Sequence, residues 1–194
     1  MNQVFIDGQA GTTGLQIAER LALREDLEVL EIDPQARKDD DARRALMGQA
    51  DVTILCLPDA AVAQACSLAG SNTRLLDASS VHRTDDQWVY GLPEFGAAQR
   101  QAIGNASRVS NPGCYPQGYL LCIRPLIQAG LLPAEVPLSM HAVSGYSGGG
   151  RAMVEKYQGF RMMMTRRMGS RDSSNNNNSS KWNRGSYSIS HGQL

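Results

Sequence analysis

The stretch that decides the fold is Val4-Phe5-Ile6-Asp7-Gly8-Gln9-Ala10-Gly11-Thr12-Thr13-Gly14-Leu15. An apolar run, Val4 to Ile6, ends in Asp7 and a turn of three spaced glycines. Leu15, Ala18, Leu21 and Ala22 then recur at helical spacing. Strand, glycine turn and helix in that order form the setting of a dinucleotide fingerprint, here with the spacing G-x-x-G-x-x-G. The glycines permit a tight turn and close backbone approach, and the bare N–H groups of the helix start suit a pyrophosphate.

Working outward, the β-α-β alternation continues. A strand over Leu27 to Ile32 ends at Asp33-Pro34, and a helix runs from Asp39 to Met47. Ala50 to Pro58 is a nearly continuous apolar strand of the kind buried on both faces in a parallel sheet. A helix over Asp59 to Ala69 and a strand over Arg74 to Ala78 follow. Asp33 stands about where an acid holds the ribose 2′-hydroxyl of NAD, whereas Arg37 and Lys38 suit the 2′-phosphate of NADP; the residues themselves leave both open.

Two loops carry polar side chains out of strand ends, where open parallel sheets bind ligands. One is Asp77-Ala78-Ser79-Ser80-Val81-His82-Arg83 and the other is Tyr90-Gly91-Leu92-Pro93-Glu94, ahead of a helix. The planar fork of Arg83 makes it a candidate for a substrate phosphate or carboxylate. A short strand over Ser107 to Ser110 then delivers Asn111-Pro112-Gly113-Cys114-Tyr115-Pro116-Gln117-Gly118. The apolar helix that follows, Cys114 to about Ala129, puts Cys114 at a helix N-terminus, where the dipole favours a thiolate. That is how a nucleophile is made from a residue otherwise only a few per cent ionised near neutrality, and position alone leaves a small buried apolar residue as the other reading. Leu138 to Val143 reads as a further strand, opening into Ser144-Gly145-Tyr146-Ser147-Gly148-Gly149-Gly150 before a helix near Arg151. His82 reads as a loop histidine and His141 as structural.

Composition sets bounds on function. Lys plus Arg equals Asp plus Glu at 19 each, so nothing in the net charge points to nucleic acid or an acidic membrane. The four cysteines, Cys56, Cys66, Cys114 and Cys122, form no C-x-x-C pair and have no histidine at metal spacing. They read as reduced thiols of a cytoplasmic protein, with no metal site and no disulfide. No signal peptide is expected, and no apolar run approaches membrane-spanning length. Composition shifts after Phe160. Six Lys/Arg stand against the single acid Asp172 from Arg161 onward, and a Ser/Asn tract spans Ser173 to Ser180. Such a segment buries too little apolar surface to offset its ordering entropy, so disorder is expected there.

Five stretches together resemble the N-acetyl-γ-glutamyl-phosphate reductase family in its shorter, second type, which is similar to aspartate-semialdehyde dehydrogenase. They are FIDGQAGTTGLQI at the start, ILCLPD at 54–59, DASSVHRT at 77–84, NPGCYPQGYLL at 111–121 and HAVSGYSGGG at 141–150. Gln117 departs from the threonine more usual there. The resemblance implies a Rossmann-type α/β domain over 1–113 that binds NADP, and the start of an α+β catalytic domain over 114–160. A tail over 161–194 has no counterpart and reads as a wrong reading frame. It also implies NADPH-dependent reduction of N-acetyl-L-glutamyl 5-phosphate to the 5-semialdehyde, through a thioester on Cys114, in arginine biosynthesis. Cofactor contacts are implied for Gly8, Gly11, Thr12, Thr13, Gly14, Arg37, Ser144, Gly145, Ser147 and Gly148, and substrate contacts for Arg83 and Asn111. A homo-oligomer is implied for the full family form. The family's acid/base histidine has no match at His82, His141 or His191, so a nucleotide-binding remnant and a reductase of aspartyl phosphate stand as alternatives.

Overall fold

β1 (Asn2–Asp7) is exposed at its start and buried from Val4 to Asp7, as expected of a strand entering the middle of a sheet. The computed structural model describes residues 1–143, 145, 148, 153–160 and 162. The expected roles of Ser144 and Ser147, the helix start at Arg151 and the disorder expected of the Ser/Asn tract all lie outside the described residues. The chain divides into two units, Met1–Val154 and Glu155–Leu194, and in the second residues 155–160 are helical.

The first unit carries a six-stranded sheet in the order β2-β1-β3-β4-β6-β5, parallel throughout. The strands are β2 (Leu27–Leu30), β3 (Val52–Leu55), β4 (Leu75–Asp77), β5 (Val89–Tyr90) and β6 (Arg108–Ser110). The helices are α1 (Thr12–Leu21), α2 (Asp40–Gln49), α3 (Asp59–Leu68), α4 (Ala97–Asn105) and α5 (Cys114–Gln128). The α/β parallel sheet expected from the alternation is therefore present. Strand order reverses at β1, which lies between β2 and β3, so the crevice between β1 and β3 is the topological switch point.

Val62, Ala65 and Leu68 fall at helical spacing along α3 and, with Met47 of α2, pack on Phe5, Leu55 and Leu75 to form the core. Asp39 caps α2 by accepting hydrogen bonds from the N–H groups of Asp41 and Ala42. Among the described residues no helix is long and apolar enough to cross a membrane.

Two readings are corrected. Among the described residues Leu138 to Val143 pairs with no strand and is irregular, its large side chains Leu138, Met140 and Val143 exposed. An apolar run makes a strand only in a context that pairs and packs it. Strands were also shorter than their apolar runs suggest: the Ala50 to Pro58 stretch contributes only Val52–Leu55, the Cys56 N–H making a last bond to the Asp7 carbonyl at 2.7 Å before the chain leaves the sheet.

Candidate active site

Register makes one line of the sheet's carboxyl edge. Asp7 pairs with Leu55, Leu55 with Asp77, Asp77 with Ser110 and Ser110 with Tyr90. Every strand that ends on this line leaves the sheet on the same edge, in the order glycine turn, 56–58 segment, 78–83 loop and Cys114 turn.

The glycine turn is built by close approach. Gly8 has φ +92°, and a Cβ on it would lie 2.3 Å from the carbonyl oxygen of Cys56. A Cβ on Gly14 would lie 2.5 Å from the Gly8 oxygen and 2.7 Å from Gln9 Cα. Only glycine fits either place. Gly11 is the N-cap of α1 with no side-chain cap, and its carbonyl takes the Leu15 N–H at 2.9 Å. The first-turn N–H groups at Thr12, Thr13 and Gly14 are thus left without helical acceptors, as an anion site requires.

Beyond this turn a cleft of about 730 Å³ is lined by Asp7, Gly8, Gly11 and Thr13, by Ile32, Arg37 and Lys38 after β2, and by Cys56, Leu57 and Pro58 after β3. Its size suits a small-molecule or cofactor site. The cationic pair Arg37 and Lys38 lines it; Asp33 does not, its Oδ1 being used to accept the Gln35 N–H at 2.8 Å. At the cleft floor Arg43 and Asp7 form a buried ion pair, with Nη2 to Oδ2 at 2.7 Å and Nη1 to Asp40 Oδ1 at 3.0 Å. Burial works to lower the Arg43 pKa, but its hydrogen bond to Asp7 and the Asp7 and Asp40 charges outweigh it and raise the value.

The second part of the edge is the Cys114 turn. Cys114 is the first residue of α5 and is exposed, whereas Pro112 and Gly113 before it are buried. Gly113 accepts the Gln117 N–H at 3.0 Å and Pro116 has no N–H, so the unpaired first-turn donors are those of Cys114 and Tyr115. Arg83 sits against this turn. Its Nε donates to the Asn111 carbonyl at 3.2 Å and its Nη2 to the Ala78 carbonyl at 3.4 Å, and a Cβ on Gly113 would come within 2.9 Å of Nη1. The Asn111 side chain donates to the Pro112 carbonyl at 3.3 Å, within its own turn. The four cysteines are therefore not equivalent. Burial, then the Asp7 and Asp77 charges, pushes the Cys56 thiol up to about 11, and burial raises Cys66 too.

Gly8, Gly11, Thr13 and Arg37 thus come together around one cleft, and Arg83, Asn111 and Cys114 around one turn. The Gly148 N–H donates to the Gly145 carbonyl at 3.0 Å. Sequence reasoning missed Arg43, which stands in a run of charged residues from Arg37 to Arg44 broken only by Ala42. It also missed Asp77 as a buried hub and treated His82 as plain loop.

Comparison with known proteins bears on these groups. Residues 114–167 match the family model described as semialdehyde dehydrogenase, dimerisation domain. N-acetyl-gamma-glutamyl-phosphate reductase 2 of Nostoc sp. is 54% identical over 159 residues, 81% of this chain and 49% of that protein. The protein so named from Pseudomonas putida is 53% identical over 156 residues, 80% of this chain and 50% of that one. Among solved structures, aspartate semialdehyde dehydrogenase from Francisella tularensis superposes with a TM-score of 0.64 at 16% identity, covering 90% of this chain and 52% of that one. Aspartate semialdehyde dehydrogenase II from Vibrio cholerae gives 0.56 at 16% identity over 82% and 51%. At those identities the likeness speaks of fold. The chain spans about half the length of the curated relatives it matches. Over about 80% of its length the chain is thus similar to proteins named N-acetyl-gamma-glutamyl-phosphate reductase.

Proposed function

We propose that this chain carries the cofactor-binding and nucleophile-bearing parts of an NADPH-dependent N-acetyl-γ-glutamyl-phosphate reductase, acting in the cytoplasm in arginine biosynthesis. The observation that carries the reading is the position of Cys114, exposed at the start of α5 on the same carboxyl edge as the glycine turn.

The cleft residues fit a dinucleotide. Gly8 and Gly14 leave the space a backbone-hugging pyrophosphate needs, and Gly11, Thr12 and Thr13 open α1 towards it. Arg37 and Lys38 line the far side, while Asp33 is engaged in its own turn, which supports a 2′-phosphate and hence NADP over NAD. The cofactor, when bound, supplies a hydride.

The protein's own steps start at Cys114. Its thiolate attacks the acyl carbon of the acyl phosphate; the C–O bond to phosphate breaks, phosphate leaves, and a thioester remains. The Cys114 and Tyr115 N–H groups are the donors for the oxyanion that develops in that attack. Cys114 is then the leaving group: once the thioester carbon is reduced, the tetrahedral oxyanion would collapse to the semialdehyde and expel the Cys114 thiolate. Arg83 and Asn111 border the turn as substrate-side residues, and Gly145 and Gly148, with Ser144 and Ser147, belong by resemblance to a loop near cofactor and substrate. The functional division between 1–113 and 114–160 is supported by the first residue of the family match, Cys114. The name of that match supports a homo-oligomer.

The test is paired. Arg37→Ala is expected to weaken NADPH binding about tenfold and NADH binding little, as loss of one phosphate-pairing charge implies. In a protein of the relatives' length, Cys114→Ala is expected to abolish reduction of the acyl phosphate and leave NADPH affinity unchanged. Retained turnover, or equal loss of NADPH and NADH affinity, would sink the corresponding assignment. Comparing N-acetylglutamyl with aspartyl phosphate separates the two substrates.

A further inference from the structure

Behind the cysteine turn lies a buried acid that the proposed reaction does not use. Asp77, the last residue of β4, is fully buried. Its Oδ1 accepts the Ser79 N–H at 2.9 Å, and its Oδ2 accepts the Ser79 hydroxyl at 2.6 Å and faces His82 Nδ1 at 2.7 Å. A carboxylate only accepts, so Nδ1 carries the hydrogen in this contact. The His82 ring stacks on Trp88 with centroids 3.9 Å apart and planes 11° from parallel. The next residue is Arg83, whose fork holds the carbonyls of Ala78 and Asn111. The main-chain oxygen of Asp77 meanwhile accepts the Asn111 N–H at 2.7 Å.

We propose that Asp77 is a positioning residue for Cys114, its side chain fixing His82 so that Arg83 clamps the Asn111–Gly113 backbone that leads into α5. Asp77 therefore grips the cysteine turn twice. Its carbonyl holds Asn111 directly, and its carboxylate sets the loop that returns Arg83 to the other side of the same residue. Arg83 in this arrangement acts through three-dimensional bracing: two of its donors are spent on main-chain carbonyls, and its Nη1 lies so close to Gly113 that a Cβ there would stand 2.9 Å from it. Loss of the carboxylate releases Ser79 and His82, while Ser80 stays on Asp59 and β4 keeps its ladder partners, so the effect falls on the aim of the α5 first-turn donors and not on the cofactor cleft.

The inference rests on Cys114 being the nucleophile, and the experiment separates the two. In the 194-residue protein, iodoacetamide alkylation of Cys114 and Cys122 is followed residue by residue by mass spectrometry, alongside NADPH binding. His82→Phe keeps the ring stack and loses the bond to Asp77; His82→Asn loses the stack and keeps an N–H near the Nδ1 position. The expected result is a Cys114-to-Cys122 rate ratio well above one in the parent protein. That ratio should fall about tenfold in Asp77→Asn and in His82→Phe, and by less than about twofold in His82→Asn, with NADPH affinity unchanged. A parent ratio of one overturns the nucleophile reading, and the inference with it. A high parent ratio that His82→Phe preserves and His82→Asn abolishes overturns the inference alone. That outcome remains readable if Asp77→Asn fails to fold.

Discussion

Substituting Gly14 by alanine is the sharpest perturbation of the glycine turn. The added Cβ would stand 2.5 Å from the Gly8 oxygen, 2.7 Å from Gln9 Cα and 3.0 Å from the Gln9 carbonyl carbon, against ordinary contacts of 3.4–4 Å. All three neighbours are backbone, so no side chain can swing aside; the Gly8–Gln9 segment must move by close to an ångström. Overpacking of this kind costs about 1–3 kcal/mol. For a chain of this size that is a drop of roughly 2–12 °C in the thermal midpoint. The same movement displaces the α1 first-turn N–H groups from the site they define, so NADPH affinity should fall about 10- to 100-fold. Gly11 provides the control. Its φ of −76° and ψ of 162° suit any residue, and its Cβ would meet only the Gly8 oxygen at 3.3 Å and the Cys56 oxygen at 3.8 Å. Gly11→Val is therefore expected to keep the midpoint within a few degrees of the parent while its branches obstruct NADPH. Differential scanning calorimetry and fluorescence titration with NADPH read the two effects. A Gly14→Ala protein with parental midpoint and parental affinity would refute the close-approach argument for this turn.

Two further perturbations follow from the buried charges. Arg43→Met removes the partner of buried Asp7 and is expected to destabilise the fold by about 3–5 kcal/mol, most of which Asp7→Asn in the same chain should restore; a single-mutant loss below about 0.5 kcal/mol in urea titration would contradict the pairing. Cys56 has its pKa raised from 9.0 to about 11 in the folded chain, so the folded state binds more protons than the unfolded one in that window. Its contribution is complete below about pH 9 and is lost as pH rises through about 11. Cys56→Ala should flatten the decline of stability across that range, and an unchanged slope would count against the burial of this thiol.

Much of the architecture was readable from local pattern. The alternation of apolar strands and amphipathic helices gave the parallel sheet, and glycine spacing after Ile6 gave the turn that opens α1, because both are written in contiguous residues. Cys114 was legible for the same reason: a Pro-Gly turn and a helix start adjoin it. The rest depends on juxtaposition. Arg43 reaches Asp7 across 36 positions, and Arg83 reaches Asn111 across 28. Nothing near Arg43 distinguishes it from exposed Arg44, which pairs with Asp41. Strand order is equally non-local. The two-residue β5 was not foreseen, and it sits outside β6 at the sheet edge although it precedes it in the chain. Leu138 to Val143 erred in the opposite sense, since among the described residues no strand pairs with that run.

The chemistry of the Cys114 thiol is read most directly from the mass of the protein after exposure to N-acetylglutamyl phosphate without NADPH. A single acyl adduct, labile to hydroxylamine, is expected on Cys114 and absent from Cys114→Ser. No adduct on Cys114, or an adduct carried equally by Cys122, would contradict it.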